Sequence, residues 1–169
     1  MKKFFIYFIL ISLFTSSLKA QIAYIDMNLV LNKSEVGKYL NSHIEKIKNK
    51  NIEKFKEIEK NLIDKEKLLI SQQNILDNNE FDKKLAILKI EVNKYKSDKK
   101  LHVDQLNKIK IESTKEILKV LNPIITKYVD LNSISLVIPK KNIIIGKKNL
   151  DITDQIIKQL DENLKKLNF

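Results

Sequence analysis

The sequence has no cysteine and no arginine, and only two glycines, two prolines and two histidines occur among its 169 residues. The lack of cysteine excludes disulfides, a zinc–thiolate site and a thiol nucleophile. A glycine-rich phosphate-binding loop is excluded as well, because Gly37 and Gly146 are the only glycines and lie far apart. The chain therefore lacks the residues of several common catalytic and cofactor sites.

The two histidines give no sign of a metal or catalytic site. His43 and His102 lie in helical patterns, and neither has a partner histidine at metal-ligand spacing. His102 falls on an apolar seam, where we interpret it as a polar position that helps to set helix register. Asp151, Thr153 and Asp154 could bind a cation, but they also suit a helix cap and its first turn. The sequence predicts a protein that is not an enzyme and uses no cofactor.

The first twenty residues have the order of a secretory signal peptide. Met1–Lys3 is basic, Phe4–Phe14 is apolar apart from Ser12, and Ala20 is a small residue after which cleavage is expected. The apolar run is shorter than the ~20 residues that a membrane-spanning helix needs. An uncleaved membrane anchor is the alternative.

Lysine dominates the charge of the remaining chain, which would run from Gln21 to Phe169. It has 149 residues, enough for one domain, and its 29 lysines against 21 acidic residues give a net charge of +8. A basic exported protein meets anionic membrane surfaces, anionic glycolipids or acidic proteins, and nucleic acid is not an expected partner. A compositional bias of the genome toward Lys, Asn and Ile would explain the same numbers.

Most of the chain carries a helical pattern in two arms. The first runs from Lys38 to about Leu76, and the second runs from Phe81 toward Pro123, where a kink or an end is expected. Apolar residues recur at spacings of three and four, which indicates a heptad seam with polar interruptions. The seam positions are Phe55, Ile58, Leu62, Lys65, Leu69, Gln72 and Leu76, then Phe81, Leu85, Leu88, Val92, Tyr95, Lys99, His102, Leu106 and Ile109. Two arms of matched length predict an antiparallel hairpin over 38–122 with its tip near 77–80.

The two ends of the chain predict a small β/α body, formed by 21–37 and 123–169. Strands are expected over Ile22–Ile25, Ser135–Ile138 and Ile143–Ile145, and Met27–Val36 is expected to be a helix or helical turn. Asp151 or Thr153 is expected to cap a final amphipathic helix. The predicted fold is thus mainly α with a three-stranded β body. So few strands bury little surface, and we expect this body to associate with other copies.

Three segments flank the hairpin: "IAYIDMNLVLNKSEVGK" before it, and "SLVIPKKNIIIG" and "LDITDQIIKQLDE" after it. In these segments and in their order around the hairpin, the whole mature chain resembles the Skp/OmpH family of periplasmic chaperones. The resemblance implies a homotrimer in the periplasm of a Gram-negative bacterium, with three coiled-coil tentacles around a cavity. It also implies a holdase without a cofactor that binds unfolded outer-membrane β-barrel proteins in that cavity and prevents their aggregation. The chain departs from the family in having lysine at every basic position and arms poor in alanine.

Two groups of residues are candidates for binding. Those expected in the trimer body are Ile22, Tyr24, Ile25, Leu136, Ile138, Ile143 and Ile145. Four lysines of the second arm are expected to attract acidic clients, anionic lipid or lipopolysaccharide: Lys94, Lys96, Lys99 and Lys100. The alternative for these lysines is a solvated helix face. For the whole protein, the alternatives are a coiled-coil spacer in the envelope and a binder of anionic lipid or glycolipid surfaces.

Overall fold

The computed structural model describes residues 20–169, so the predicted signal peptide lies outside the described residues apart from Ala20. Helices dominate, as predicted, and they are joined to a small parallel sheet. The elements are β1 (Gln21–Ile25), α1 (Met27–Lys33), α2 (Glu35–Ser71), α3 (Asn78–Leu131), β2 (Ile134–Pro139) and α4 (Thr153–Asn163), with short 3-10 turns at Lys140–Asn142 and Lys148–Leu150.

Two side chains set the sharp turns at the start of the fold. Asp26 caps α1, where its carboxylate accepts a hydrogen bond of 2.9 Å from the backbone N–H of Leu29. Ser34 separates α1 from α2 and caps α2, where its hydroxyl accepts from the N–H of Gly37 at 3.2 Å. Each cap satisfies a donor that the first helical turn leaves free. The chain therefore passes from strand to short helix to long helix with little loop.

The long helices α2 and α3 pack against each other as an antiparallel hairpin. At 1.5 Å per residue they are about 56 and 81 Å long. The first arm ends at Ser71, five residues before the predicted Leu76. Asp77 is the N-cap of α3, and its carboxylate accepts from the N–H of Glu80 at 2.9 Å. The turn occupies 72–77, just before the predicted tip at 77–80, because the asparagines after Asp77 belong to the first turn of α3.

Of the two outcomes expected at Pro123, a kink or an end, the structure excludes an end. The helix α3 continues to Leu131 with Pro123 inside it. Proline removes one helical hydrogen bond, but side chains on both sides of Pro123 pack in or against the core and hold the helix. Leu121 lies before Pro123 in the core, and Tyr128 packs against that core after it. Packing therefore outweighs the local breaking tendency.

The sheet of the described residues has two strands. β1 and β2 are parallel, with Ile22 opposite Leu136 and Tyr24 opposite Ile138. The prediction of a third strand over Ile143–Ile145 is wrong for this structure, which has no strand at those residues. The free edge of β1 is taken instead by the segment that enters α4. Tyr24 forms an isolated bridge with Asp151, and its carbonyl accepts a hydrogen bond of 3.0 Å from Ile152.

The core lies between the sheet, the short helices and the base of the hairpin. Val30 from α1, Leu121 from α3 and Ile156 from α4 are all fully buried. These side chains join the two ends of the chain into one hydrophobic cluster. Its buried members are Ala23, Ile25, Val30, Val36, Leu40, Ile117, Leu121, Ile134, Ile152, Ile156 and Leu160.

Candidate functional site

The outer face of the sheet carries apolar side chains that this chain leaves exposed. Successive side chains of a strand point to opposite faces, and Ala23 and Ile25 of β1 point into the core. The neighbouring pair Ile22 and Leu136 points the other way, and these residues are 45% and 52% exposed. This face of the body is suited to contact with another apolar surface.

A loop of residues 140–151 lies beside this face and is anchored to Tyr24. The Tyr24 ring packs so closely on Gly146 that a Cβ atom there would lie 2.7 Å from the ring. The Tyr24 hydroxyl donates to the carbonyl of Lys147 at 3.3 Å. At the apex of the loop, Ile144 and Ile145 are 99% and 91% exposed. The loop therefore presents two adjacent isoleucines to solvent from an anchored base.

A polar network joins the end of this loop to the start of α1. The backbone N–H of Asp26 donates to the hydroxyl of Thr153 at 2.9 Å, and that hydroxyl donates to the carboxylate of Asp151. The same carboxylate accepts from the backbone N–H of Thr153 at 3.0 Å, and it forms an ion pair of 3.1 Å with Lys140. The prediction that Asp151 or Thr153 caps α4 is wrong, because the N-cap is Ile152 and Thr153 is the first helical residue. Asp151 nevertheless accepts from the backbone of Thr153 at the start of the helix.

The network changes the protonation of both its charged members. Partial burial acts to raise the pKa of Asp151, but hydrogen bonds from Thr153 and Lys140 outweigh it and lower the pKa below the ordinary 3.8. The hydrogen bond to Asp151, followed by its charge, raises the pKa of Lys140 above 10.5. The pair is therefore ionised across neutral pH. Because Lys140 occupies the Asp151 carboxylate, the arrangement favours a structural role over the cation site considered for Asp151, Thr153 and Asp154.

The residues expected in the trimer body divide into three sets: buried, half-buried and exposed. Tyr24 and Ile25 are buried within the subunit. Ile138 and Ile143 are half-buried. The exposed members are Ile22, Leu136 and Ile145, which lie on the sheet face and the adjoining loop.

The hairpin seam holds most of the predicted residues between the arms, whereas Lys65 and Lys99 are exposed. Phe55 is 7% exposed, and its ring meets those of Tyr95 and His102 edge-on, with centroids 5.9 and 5.2 Å away. The side-chain nitrogen of Asn51 lies 3.3 Å from Nδ1 of His102, so the imidazole at this polar seam position has a hydrogen-bond partner. Nearer the tip, Lys65 of α2 forms a 2.7 Å ion pair with Glu91 of α3 across one side of the seam.

The four candidate lysines do not all line the same groove. All are exposed, including Lys99, whose predicted place on the seam is wrong: Asp98 is half-buried there, and the Lys99 ammonium lies 5.4 Å from the centroid of the Tyr95 ring. Lys94 lines a groove on the side of Lys65 and Glu91 and pairs with Asp98 at 3.5 Å. Lys96 lines a second groove, which contains Ile63. Lys94 and Lys96 thus line different grooves.

The arms and the turn between them also expose large apolar side chains that the sequence reasoning missed. They lie outside the predicted seam positions and are 44–80% exposed. Isoleucine, leucine and valine at non-seam positions of a charged coiled coil are the signal that identifies them. They are Ile52, Ile63, Leu68, Ile70, Ile75, Ile87, Ile90, Leu101, Val103 and Ile111.

Within residues 20–169, no three His, Cys, Asp or Glu side chains are grouped in a way that could hold a metal ion. No helix of this same part of the chain combines the length and apolar character needed to cross a membrane. The features that remain are an exposed sheet face and a pair of arms with apolar and charged surfaces. Together they define an elongated helical-hairpin protein whose available surfaces are suited to binding other polypeptides.

Comparison with known proteins assigns the family. The model of the family "Outer membrane protein (OmpH-like)" matches residues 21–160, so the chain belongs to this family. The fold is similar to the crystal structure of a candidate outer membrane chaperone (OmpH-like) from Caulobacter crescentus CB15. The TM-score is 0.78 at 17% sequence identity, and the match covers 88% of each chain. None of the curated proteins compared with this chain matches it.

Proposed function

We propose that this protein is a periplasmic holdase, which binds unfolded outer-membrane β-barrel proteins between the arms of a trimer and keeps them from aggregating. Unfolded barrel proteins expose alternating apolar residues and unpaired strand edges, both of which aggregate readily. A protein that holds them needs many weak contacts and no fixed register. Family membership and the fold of the Caulobacter crescentus neighbour support the proposal.

The exposed apolar residues of the arms are the observation that carries this proposal. A coiled-coil spacer needs apolar residues at its seam, where Phe55 and Leu69 are buried. It has no use for side chains such as Ile70 and Ile90, which are 62% and 67% exposed. Covering one large aliphatic side chain is worth about 1.5–3 kcal/mol. Several such contacts along two arms would hold a client firmly without recognising one sequence.

The trimer is proposed from the exposed face of the body. The sheet has only two strands, and Ile22, Leu136 and Ile145 offer an apolar surface beside it. A sheet this small gains stability when another copy covers that surface. Three copies joined at their bodies would direct three hairpins to one side. The space between those hairpins would be the cavity for the client.

Export to the periplasm is proposed from the N-terminal order of basic, apolar and small residues. Mass spectrometry of protein from cells should find a chain that begins at or near Gln21. An intact chain beginning at Met1 in the inner membrane would contradict export.

The test of the holdase is dilution of a urea-unfolded outer-membrane barrel protein into buffer with and without the mature chain. We expect the mature chain to suppress light scattering by the client at a stoichiometry of three chains per client. A lysine-rich coiled coil of equal length and without exposed isoleucines is the control. Equal scattering with and without the mature chain would reject the proposal and favour the spacer.

Binding of anionic lipid or lipopolysaccharide is the second candidate, and the net charge of +8 on the mature chain favours it. Flotation with phosphatidylglycerol vesicles at physiological salt tests it. A lipid-surface protein would float with these vesicles and leave client aggregation unchanged.

A further inference from the structure

The two sides of the hairpin differ in how their charged residues meet. On one side, the Lys65–Glu91 ion pair of 2.7 Å bridges α2 and α3 directly. On the other, Glu59 and Glu66 of α2 and Lys89 and Lys96 of α3 line one groove. Among residues 20–169, none of these four makes an ion pair. We call this second groove, lined also by Ile63, the open groove.

The register of the arms places these charges opposite one another. Lys65 meets Glu91, and Gln72 accepts a hydrogen bond from Lys84 at 3.3 Å. This antiparallel register sets Glu59 across from Lys96 and Glu66 across from Lys89. The open groove therefore has an acidic wall and a basic wall. Its floor is apolar and half-buried, and consists of Leu62, Leu85, Leu88, Val92 and Tyr95.

We propose that the open groove is the client-binding side of the arm and takes an extended segment of an unfolded barrel protein. This inference rests on the proposed holdase function and adds where on the arm the client lies. Carboxylates of Glu59 and Glu66 can accept backbone N–H groups of the client, and the ammonium groups of Lys89 and Lys96 can donate to its carbonyls. Backbone recognition of this kind requires no particular client sequence.

The dimensions of the groove suit an extended chain. Glu59 and Glu66 are seven residues apart on α2, which is about 10 Å along the helix. An extended chain advances about 3.3 Å per residue and points alternate side chains the same way. Two apolar side chains of one strand face, spaced about 6.6 Å apart, therefore fit over the floor between the walls. The alternating pattern of a barrel strand matches this spacing.

Single cysteines test the assignment, because the chain has no cysteine of its own. Ile63→Cys places a thiol in the open groove, and Ile87→Cys places one in the groove on the Lys65–Glu91 side. The two isoleucines are a matched pair, since both lie on exposed arm surface at 44% and 57% exposure. Each variant is labelled with a benzophenone maleimide, loaded with an unfolded barrel protein and irradiated.

We expect the label at position 63 to crosslink the client several times more than the label at position 87. Equal crosslinking from both positions, or more from position 87, would overturn the assignment while leaving the holdase intact, provided that aggregation is still suppressed. A crosslink from position 63 to a second copy of the chain, or a blue shift of an environment-sensitive fluorescent label there with phosphatidylglycerol vesicles alone, would also overturn it. Failure of the holdase itself would appear separately, as unsuppressed client aggregation by the unmodified chain.

Discussion

Gly37 lies so close to the carbonyl group of Leu31 that a Cβ atom at Gly37 would come within 2.8 Å of the carbonyl carbon and nearer still to the oxygen. Helix α1 is short and turns back on the first turn of α2 at this point. The close approach lets both helices contribute to one core, through Val30 and Val36. A side chain at Gly37 would have to push them apart.

We therefore expect Gly37→Ala to destabilise the body. Overpacking against a well-packed neighbour costs about 1–3 kcal/mol or more, and here the neighbour is backbone. Urea unfolding monitored by circular dichroism would measure the loss. Gly146→Ala is the control, because the group it meets is the Tyr24 ring, which can move more easily than a helix carbonyl. A Gly37→Ala protein as stable as the wild type would mean that α1 does not pack on α2 in this way.

The Asp151–Lys140 pair predicts how stability responds to acid. Asp151 has a folded-state pKa below its ordinary 3.8, so its charged form stabilises the fold above that pH. This contribution is lost as the pH falls through the lowered pKa. Asp151→Asn should therefore reduce the free energy of unfolding most at pH 7, and the difference from the wild type should shrink as the pH falls below 3.8 and through the lowered pKa.

Urea titrations of both proteins across this range would measure the difference. Asp64→Asn serves as the control, because Asp64 is exposed within α2 and the described part of the structure shows no hydrogen bond or ion pair to its side chain. A difference for Asp151→Asn that stays constant with pH would show that the ion pair contributes nothing.

The seam between the arms should depend on Phe55. A Phe→Ala change in a closed core lowers the free energy of unfolding by about 3–5 kcal/mol. Because a two-helix seam encloses Phe55 less fully, we expect Phe55→Ala to cost about 3 kcal/mol or less. Hydrogen exchange should accelerate in the middle of α2 and α3 and stay unchanged in the body. Ile52→Ala removes a nearby side chain that is 52% exposed, and it should change neither the free energy of unfolding nor the hydrogen exchange of the arms. Equal exchange in both variants would argue against a packed seam.

Association of the bodies should depend on the exposed sheet face. Leu136→Asp places a charge at the centre of the proposed contact and should convert the trimer to monomers, because a buried unpaired charge is costly. Multi-angle light scattering on the wild type should give three times the chain mass. Leu131→Asp alters a residue that is 72% exposed at the end of α3 and should leave the mass unchanged. A wild-type monomer at micromolar concentration would contradict the trimer itself.

Charge should speed capture of the client more than it slows release. Exposed charges are screened over about 8 Å at physiological salt, and steering by charge acts mainly on the association rate. Reversing Lys94, Lys96, Lys99 and Lys100 to Glu should lower the association rate of an acidic client more than it raises the dissociation rate. Stopped-flow capture of a labelled client at two salt concentrations would separate the rates. If both rates were independent of salt and of the four substitutions, these lysines would form a solvated helix face with no part in client binding.

The helical hairpin was predictable from the sequence because its stability follows from local spacing. Seam residues repeat every three or four positions, and the polar residues around Asp77 mark the turn. The error at Lys99 shows the limit of such counting. After Tyr95 the spacing allows either Asp98 or Lys99 at the seam, and only packing decides between them.

The sheet was less predictable because its pairing depends on tertiary position. Ile143–Ile145 has the β-branched composition of a strand, but composition does not say which strand edge is free. In the folded chain, Asp151 and Ile152 occupy the edge of β1 beside Tyr24. Similarly, the open groove could not be located before the arm register was known. Its opposed charges come from two helices whose relative alignment is fixed by contacts such as Lys65–Glu91.

The parallel pairing of β1 with β2 has a consequence for the order of folding. The strands are adjacent in space but more than one hundred residues apart along the chain, and closing so long a loop costs entropy. Association of α2 with α3 brings the two ends of the hairpin together and removes most of that cost. We therefore expect α2 and α3 to associate before the sheet forms. β1, which is synthesised first, should stay unpaired until β2 is in place. A weakened seam should then slow folding of the body even where every contact in the sheet is unchanged.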